Sequence, residues 1–226
     1  DIIIGAGVGG GPRVKVYYGT NGYLVNNFVA PPNMDFFAYD PNFRGGVVVA
    51  AGDRDADGVD DIITGAGVGG GPNVRSFNAA AIMIDNFFAF NPAITTGIYV
   101  AAGYINGDGI ADILVGTGKG VPTTITAFYS GGPTIGPAYS VSSMPFTSSF
   151  LGGARPGVML KTLLQADGMP FLNPDGTEYK VQVFGVAAGP GGSPEVRALD
   201  MNLATTDAMF AINPLFHGGA FLNTTL

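Results

Sequence analysis

Apolar and polar residues alternate over short stretches, and the stretches recur. Arg13-Val-Lys-Val-Tyr-Tyr and Asn73-Val-Arg-Ser-Phe each put every second side chain on one face, the period of a half-buried strand. A second kind of run does not alternate and is almost wholly apolar: Ile2 to Ile4, Gly46 to Ala51, Ile62 to Thr64, Gly97 to Ala102 and Ile113 to Val115. Runs this short, rich in β-branched residues and bounded by glycine, read as buried strands. A third kind carries aromatic and other large apolar residues: Phe36 to Tyr39, Phe87 to Phe90 and Met209 to Ile212. Asn21-Gly22 marks a hairpin turn, and Asp40-Pro41, Asn91-Pro92 and Asn213-Pro214 mark breaks between larger units.

These strands fall into copies of one unit. Asp1 to Val16, DIIIGAGVGGGPRVKV, returns at Asp61 to Arg75 as DIITGAGVGGGPNVR, 60 residues on. Asp112 to Ala127 is a third, weaker copy, offset by a further 51 residues. Gly189 to Val196 lies over Gly67 to Val74 at an offset of 122, which holds without a gap to Gly219 over Gly97. Periods of this size, four strands each, predict an all-β chain: a β-propeller-like array of about four four-stranded antiparallel blades. As a single repeat domain, 1–226, its units run over about 1–44, 45–95, 96–151 and 152–217. The first holds an insertion around Pro31 and Pro32, and Ser140 to Ser149 reads as a loop or a degenerate strand.

The segment Asp53 to Asp61, DRDADGVDD, carries the candidate chemistry. Calcium takes six to eight oxygen ligands, and alternate side chains of a tight loop can supply them. Asp53, Asp55, Asp57 and Asp61 are the candidate carboxylates, and Val59 offers its backbone carbonyl. Gly58 sits where the chain must turn, with a positive φ. Position 64, where a helix–loop–helix calcium site would carry Glu, is Thr64, so the loop joins strands. A solvated acidic turn is the plainer alternative, but five Asp in nine residues repel one another without a cation. A diminished second set is Asn106, Asp108, the carbonyl of Ile110, and Asp112, because Tyr104 stands at the place of Asp53. The fourth copy keeps only Asp167 and Gly168, and no metal is expected there.

The chemistry and repeats together resemble a known family. Asp-x-Asp-x-Asp-Gly-x-x-Asp-Ile, followed by Gly-Ala-Gly and a strand, is similar to the FG-GAP/VCBS repeats of integrin-α-like β-propellers. The resemblance covers most of the chain and fades between Pro133 and Lys180. It implies a calcium loop between the first two strands of a blade. It further implies an extracellular or cell-surface protein working in adhesion, surface structure or carbohydrate binding. The chain opens at a unit's second strand, and Gly218 to Leu226 aligns with the first strand of a following unit. Closure of a ring, donation of that strand to a neighbouring copy in a fibre or layer, and membership of a larger propeller are the three arrangements this allows.

Composition narrows the partners. A net charge of −7 with only 12% charged residues argues against a nucleic-acid partner. No apolar run has the length of a membrane span, so insertion is not expected. There is no Cys, hence no disulfide. Gly5-x-Gly7-x-x-Gly10 and Gly65-x-Gly67-x-x-Gly70 match a dinucleotide fingerprint, but Pro12 and Pro72 follow where a helix would have to open. Lone His217 has no partner for a catalytic triad or a transition-metal site, so an enzyme is not expected. Self-association, or contact with a cell-surface protein or glycan, is the expectation. A lectin-like module is the alternative, with the aromatics Phe36, Phe37, Phe87, Phe88 and Phe210 as a minority candidate for sugar stacking over core packing.

Overall fold

The computed structural model describes residues 1–22, 34–131, 136–211, 213, 215 and 217–220. The insertion expected around Pro31 and Pro32, the break at Pro214 and most of the terminal strand lie outside the described residues. Among the described residues run fifteen strands in four antiparallel sheets, and no helix. The first sheet holds β1 (Ile2–Gly5), β2 (Arg13–Tyr17) and β3 (Asp35–Phe37). The second holds β4 (Val47–Gly52), β5 (Asp61–Ala66), β6 (Asn73–Phe77) and β7 (Met83–Phe88). The third holds β8 (Ile98–Gly103), β9 (Asp112–Thr117), β10 (Ile125–Tyr129) and β11 (Tyr139–Ser143). The fourth holds β12 (Ala154–Thr162), β13 (Lys180–Ala188), β14 (Glu195–Leu199) and β15 (Thr205–Phe210).

Each sheet is a meander whose strands lie in chain order. The repeated sequence gives a repeated register: Val47 faces Ala66 in the second sheet, and Ile98 faces Thr117 in the third. β11 falls in the stretch expected as a loop or degenerate strand. It pairs with β10 along its whole length, and the Thr126 and Ser142 hydroxyls meet at 2.8 Å. Tyr139, Ser140 and Ser142 are exposed and no residue of the strand is fully buried, so no buried apolar period announced it.

The core lies between sheets. Val14, Val16, Met34 and Ala38 of the first unit pack on Val47, Ile62 and Phe77 of the second. Ile63 and Val74 meet Ile98, Val100 and Ile113 at the next junction. Leu114 and Ile125 meet Ala154, Phe184 and Leu199 at the third. Successive residues of β5 and β9 are buried on both faces, which is why the runs Ile62-Ile63 and Ile113-Leu114-Val115 do not alternate. Phe36 packs on Phe77 at 4.9 Å between ring centres, and Phe87 on Phe128 at 4.8 Å. Phe37, Phe88 and Phe210 point outward and are half exposed. Two arginines staple the junctions. Arg75 lies 4.9 Å over the Tyr39 ring and bonds the Ala38 carbonyl, and Arg197 does the same with Phe146 and Pro145.

Glycine sets how closely the units approach. Gly46, Gly97, Gly153 and Gly219 have φ of +77°, +75°, +83° and +78°. A Cβ on any of them would fall within 2.9 Å of the backbone of the preceding glycine-rich turn, at Gly7, Gly67, Gly118 or Gly189. The same turns are tied down by Gly9 N–H to Arg44 O, Gly69 to Thr95, Gly120 to Leu151 and Gly191 to His217, all at 2.8–2.9 Å. Residues 217–220 therefore seat on the fourth unit as 44–47 seat on the first.

Gly97→Ala should cost about 2 kcal/mol or more, from strain at positive φ together with the backbone clash. Gly7→Ala, with nothing within 4 Å of the added atom, should be nearly neutral. Urea midpoints of the two variants check this; equal losses would contradict the close-approach account.

Candidate metal centre

The acid loop connects β4 to β5 and is built from its own carboxylates. The two Asp53 oxygens accept the N–H groups of Ala56 at 2.7 Å and Gly58 at 2.9 Å. Asp57 accepts Val59 N–H at 2.8 Å, and Asp61 accepts Arg54 N–H at 2.7 Å. These bonds force two left-handed residues, Ala56 at φ +63° and Gly58 at φ +85°. The result brings Asp53, Asp55 and Asp61 together, with one oxygen of each lying within 4.8 Å of the others. Asp53 and Asp61 are buried and Asp55 is half-buried, and the trio can hold a metal ion. Of the remaining candidates, Asp57 lies outside that group, and Val59 keeps its side chain in solvent.

Neighbouring units position the loop. Tyr104 of the third unit accepts the Asp53 N–H through its hydroxyl at 3.1 Å, and the same hydroxyl meets Asp60 at 3.3 Å. Arg54, buried between two of the trio, pairs with buried Asp85 at 3.1 Å and bonds the Ala111 carbonyl. Asp85 also accepts the Ser76 hydroxyl at 2.6 Å and Gly136 N–H at 2.7 Å. The sequence singled out neither Arg54 nor Asp85. An arginine inside a five-aspartate run was the available signal, because a buried guanidinium needs a carboxylate partner.

The third loop has the same backbone. Gly107 and Gly109 take φ of +81° and +83° at the places of Ala56 and Gly58. Its donors differ. Asp112 accepts Ile105 N–H, Asn106 N–H and Ser130 N–H at 3.0–3.1 Å. Asp108 accepts the Asn106 amide at 3.0 Å, the Ile110 N–H at 2.9 Å and the Ser130 hydroxyl. Burial raises the Asp112 carboxyl above its ordinary value. Burial also acts to raise Asp108, but its hydrogen bonds from Ser130, Ile110 and Asn106 outweigh that and hold it below the ordinary value. The loop is thus satisfied by neutral donors. In the fourth unit the loop's place is taken by a projection, in which Leu163, Phe171 and Tyr179 bond one another's backbone in a triangle at 2.7–3.0 Å. Asp167 there accepts Met169 N–H at 3.0 Å and closes a turn.

No protein-family model matches the chain, and no curated protein matches it closely enough to be called a relative.

Burial, with the charges of Asp55, Asp53 and Asp57, raises Asp61 from 3.8 to about 7, against the pull of the Arg54 N–H. The cation-free native state therefore keeps a proton that the unfolded chain releases near pH 4. That contribution to stability is complete at pH 4 and is lost as the pH climbs through about 7. In chelator-treated samples, the parent protein should lose stability relative to Asp61→Asn between those limits. Parallel urea-midpoint profiles for the two would refute the assignment.

Proposed function

We propose that the protein is a calcium-stapled structural or adhesive repeat protein of the cell exterior, without catalytic activity, built on FG-GAP-like propeller blades. The observation that carries this reading is the convergence of Asp53, Asp55 and Asp61 within 4.8 Å on a strand-to-strand loop. The donors are all hard oxygens, and the chain has no Cys and one His, which favours calcium over zinc or copper. The serial stacking of four similar sheets supports the blade reading. The cation relieves carboxylate repulsion and fixes the β4–β5 connection against the next unit, so it acts as a folding ligand. The partners fitting such a scaffold are further copies of the chain, or proteins and glycans at a cell surface.

A lectin-like role has one observation in its favour. A cleft of about 220 Å³ between the third and fourth units presents Phe146, Phe150, Ser193, Glu195 and Arg197. Ring faces, hydroxyls and a neutralised ion pair suit an uncharged sugar. A glycan array without hits removes that reading and leaves the first intact.

Calcium should raise the thermal midpoint of the parent protein, by the equivalent of about 2.7 kcal/mol at a hundredfold excess over Kd. A chelator should reverse the shift. Asp55→Asn, which keeps the shape of the side chain, should weaken calcium binding at least tenfold by calorimetry, an effect of roughly 1.4 kcal/mol. A parent midpoint indifferent to calcium would overturn the proposal.

A further inference from the structure

The third loop repeats the backbone of the acid loop but carries Asn106 where the other carries Asp55. The next residue is Gly107, exposed and without a side chain to shield its nitrogen. We infer that Asn106-Gly107 is a self-modifying site, at which the backbone converts the amide into a carboxylate. Hydrogen bonds hold the amide at both of its ends. The Asn106 Oδ1 accepts the Asp108 N–H at 3.1 Å, which polarises the amide carbonyl and stands ready for the charge that develops on its oxygen. The departing nitrogen, Nδ2, donates to Asp108 Oδ2 at 3.0 Å and to Ser130 O at 3.2 Å, and both bonds break as it leaves. The nucleophile is the adjoining backbone nitrogen, so no encounter has to occur.

In the first step, Gly107 N bonds to Asn106 Cγ, and the Cγ–Nδ2 bond breaks. The proton lost from Gly107 N passes to solvent, the leaving nitrogen takes one up, and ammonia departs. Water then opens the cyclic imide at either carbonyl, giving aspartate or its isomer at position 106. No oxidant or reductant is involved. The product at position 106 can no longer donate to Asp108, and where aspartate forms it adds a negative charge beside Asp108 and Asp112. Where aspartate forms, the third loop passes from one closed by neutral donors to one with three carboxylates, at the places of Asp55, Asp57 and Asp61 in the second.

Incubation of the folded protein at mildly alkaline pH in water enriched in heavy oxygen, followed by peptide mapping, tests the site. The expected result is loss of ammonia at position 106 with one labelled oxygen gained. The rate should be at least that of a synthetic peptide spanning 103–112, because the Asp108 N–H polarises the carbonyl under attack. Asn106→Gln, which would need a larger ring, should stay unmodified at that position over the same period. An amide that persists in the folded protein while the peptide converts would overturn the inference, as would conversion without solvent oxygen.

Discussion

The structure depends on how closely one unit's backbone can approach the next. Four glycines at positive φ lie against four glycine-rich turns, with no room for a Cβ at any crossing. That contact brings the sheets near enough for Ile63, Ile113 and Leu114 to be wholly enclosed, each worth roughly 1.5–3 kcal/mol against exposure. Glycine is costly in the unfolded chain, since it has the most freedom to lose. Here it is used where nothing larger fits, and the inter-sheet cores offset the entropy. The pattern recurs at residues 217–220, so the fourth unit presents the same seat as the others.

The acid loop inherits its geometry from that packing. β4 and β5 end side by side because their registers are fixed, and Asp61, the first residue of β5, is carried into the interior. Two ionised carboxylates at this separation repel by roughly 3–4 kcal/mol at an effective dielectric of 20. Protonation of Asp61 relieves the repulsion one way, and a divalent cation relieves it another. Arg54 does not serve for this, because Asp85 and the Ala111 carbonyl already hold its guanidinium. Its role is to bind the loop to the junction with the third sheet. Tyr104 does likewise from the far side. It stands at the first ligand position of its own loop and supports the neighbouring one.

Much of this was legible in the sequence. The repeat, the strand order within units, the turn at Gly58 and the acid cluster all follow from local rules of alternation, turn chemistry and ligand spacing. The long-range details were not legible. Arg54 and Asp85 are thirty-one residues apart, and only the fold brings them together. β11, YSVSS, has no buried residue, so it lacks the apolar period that identifies a strand. The three-armed projection between β12 and β13 is built from two Asp-Gly turns, at Asp167-Gly168 and Asp175-Gly176. Its apolar residues, Leu164, Met169 and Leu172 among them, are exposed, which inverts the usual reading of hydrophobic positions. Asp57 belongs to the ligand pattern by spacing but lies outside the group of three, and its carboxylate accepts the Val59 N–H, a local bond that spacing does not reveal.

The most direct measurement is an anomalous difference map from crystals soaked in a lanthanide that substitutes for calcium. The account predicts one strong peak among the carboxylates of Asp53, Asp55 and Asp61, in contact with an oxygen of each. Well-ordered density for residues 53–61 with those carboxylates turned to solvent, and no peak between them at saturating ion, would contradict it.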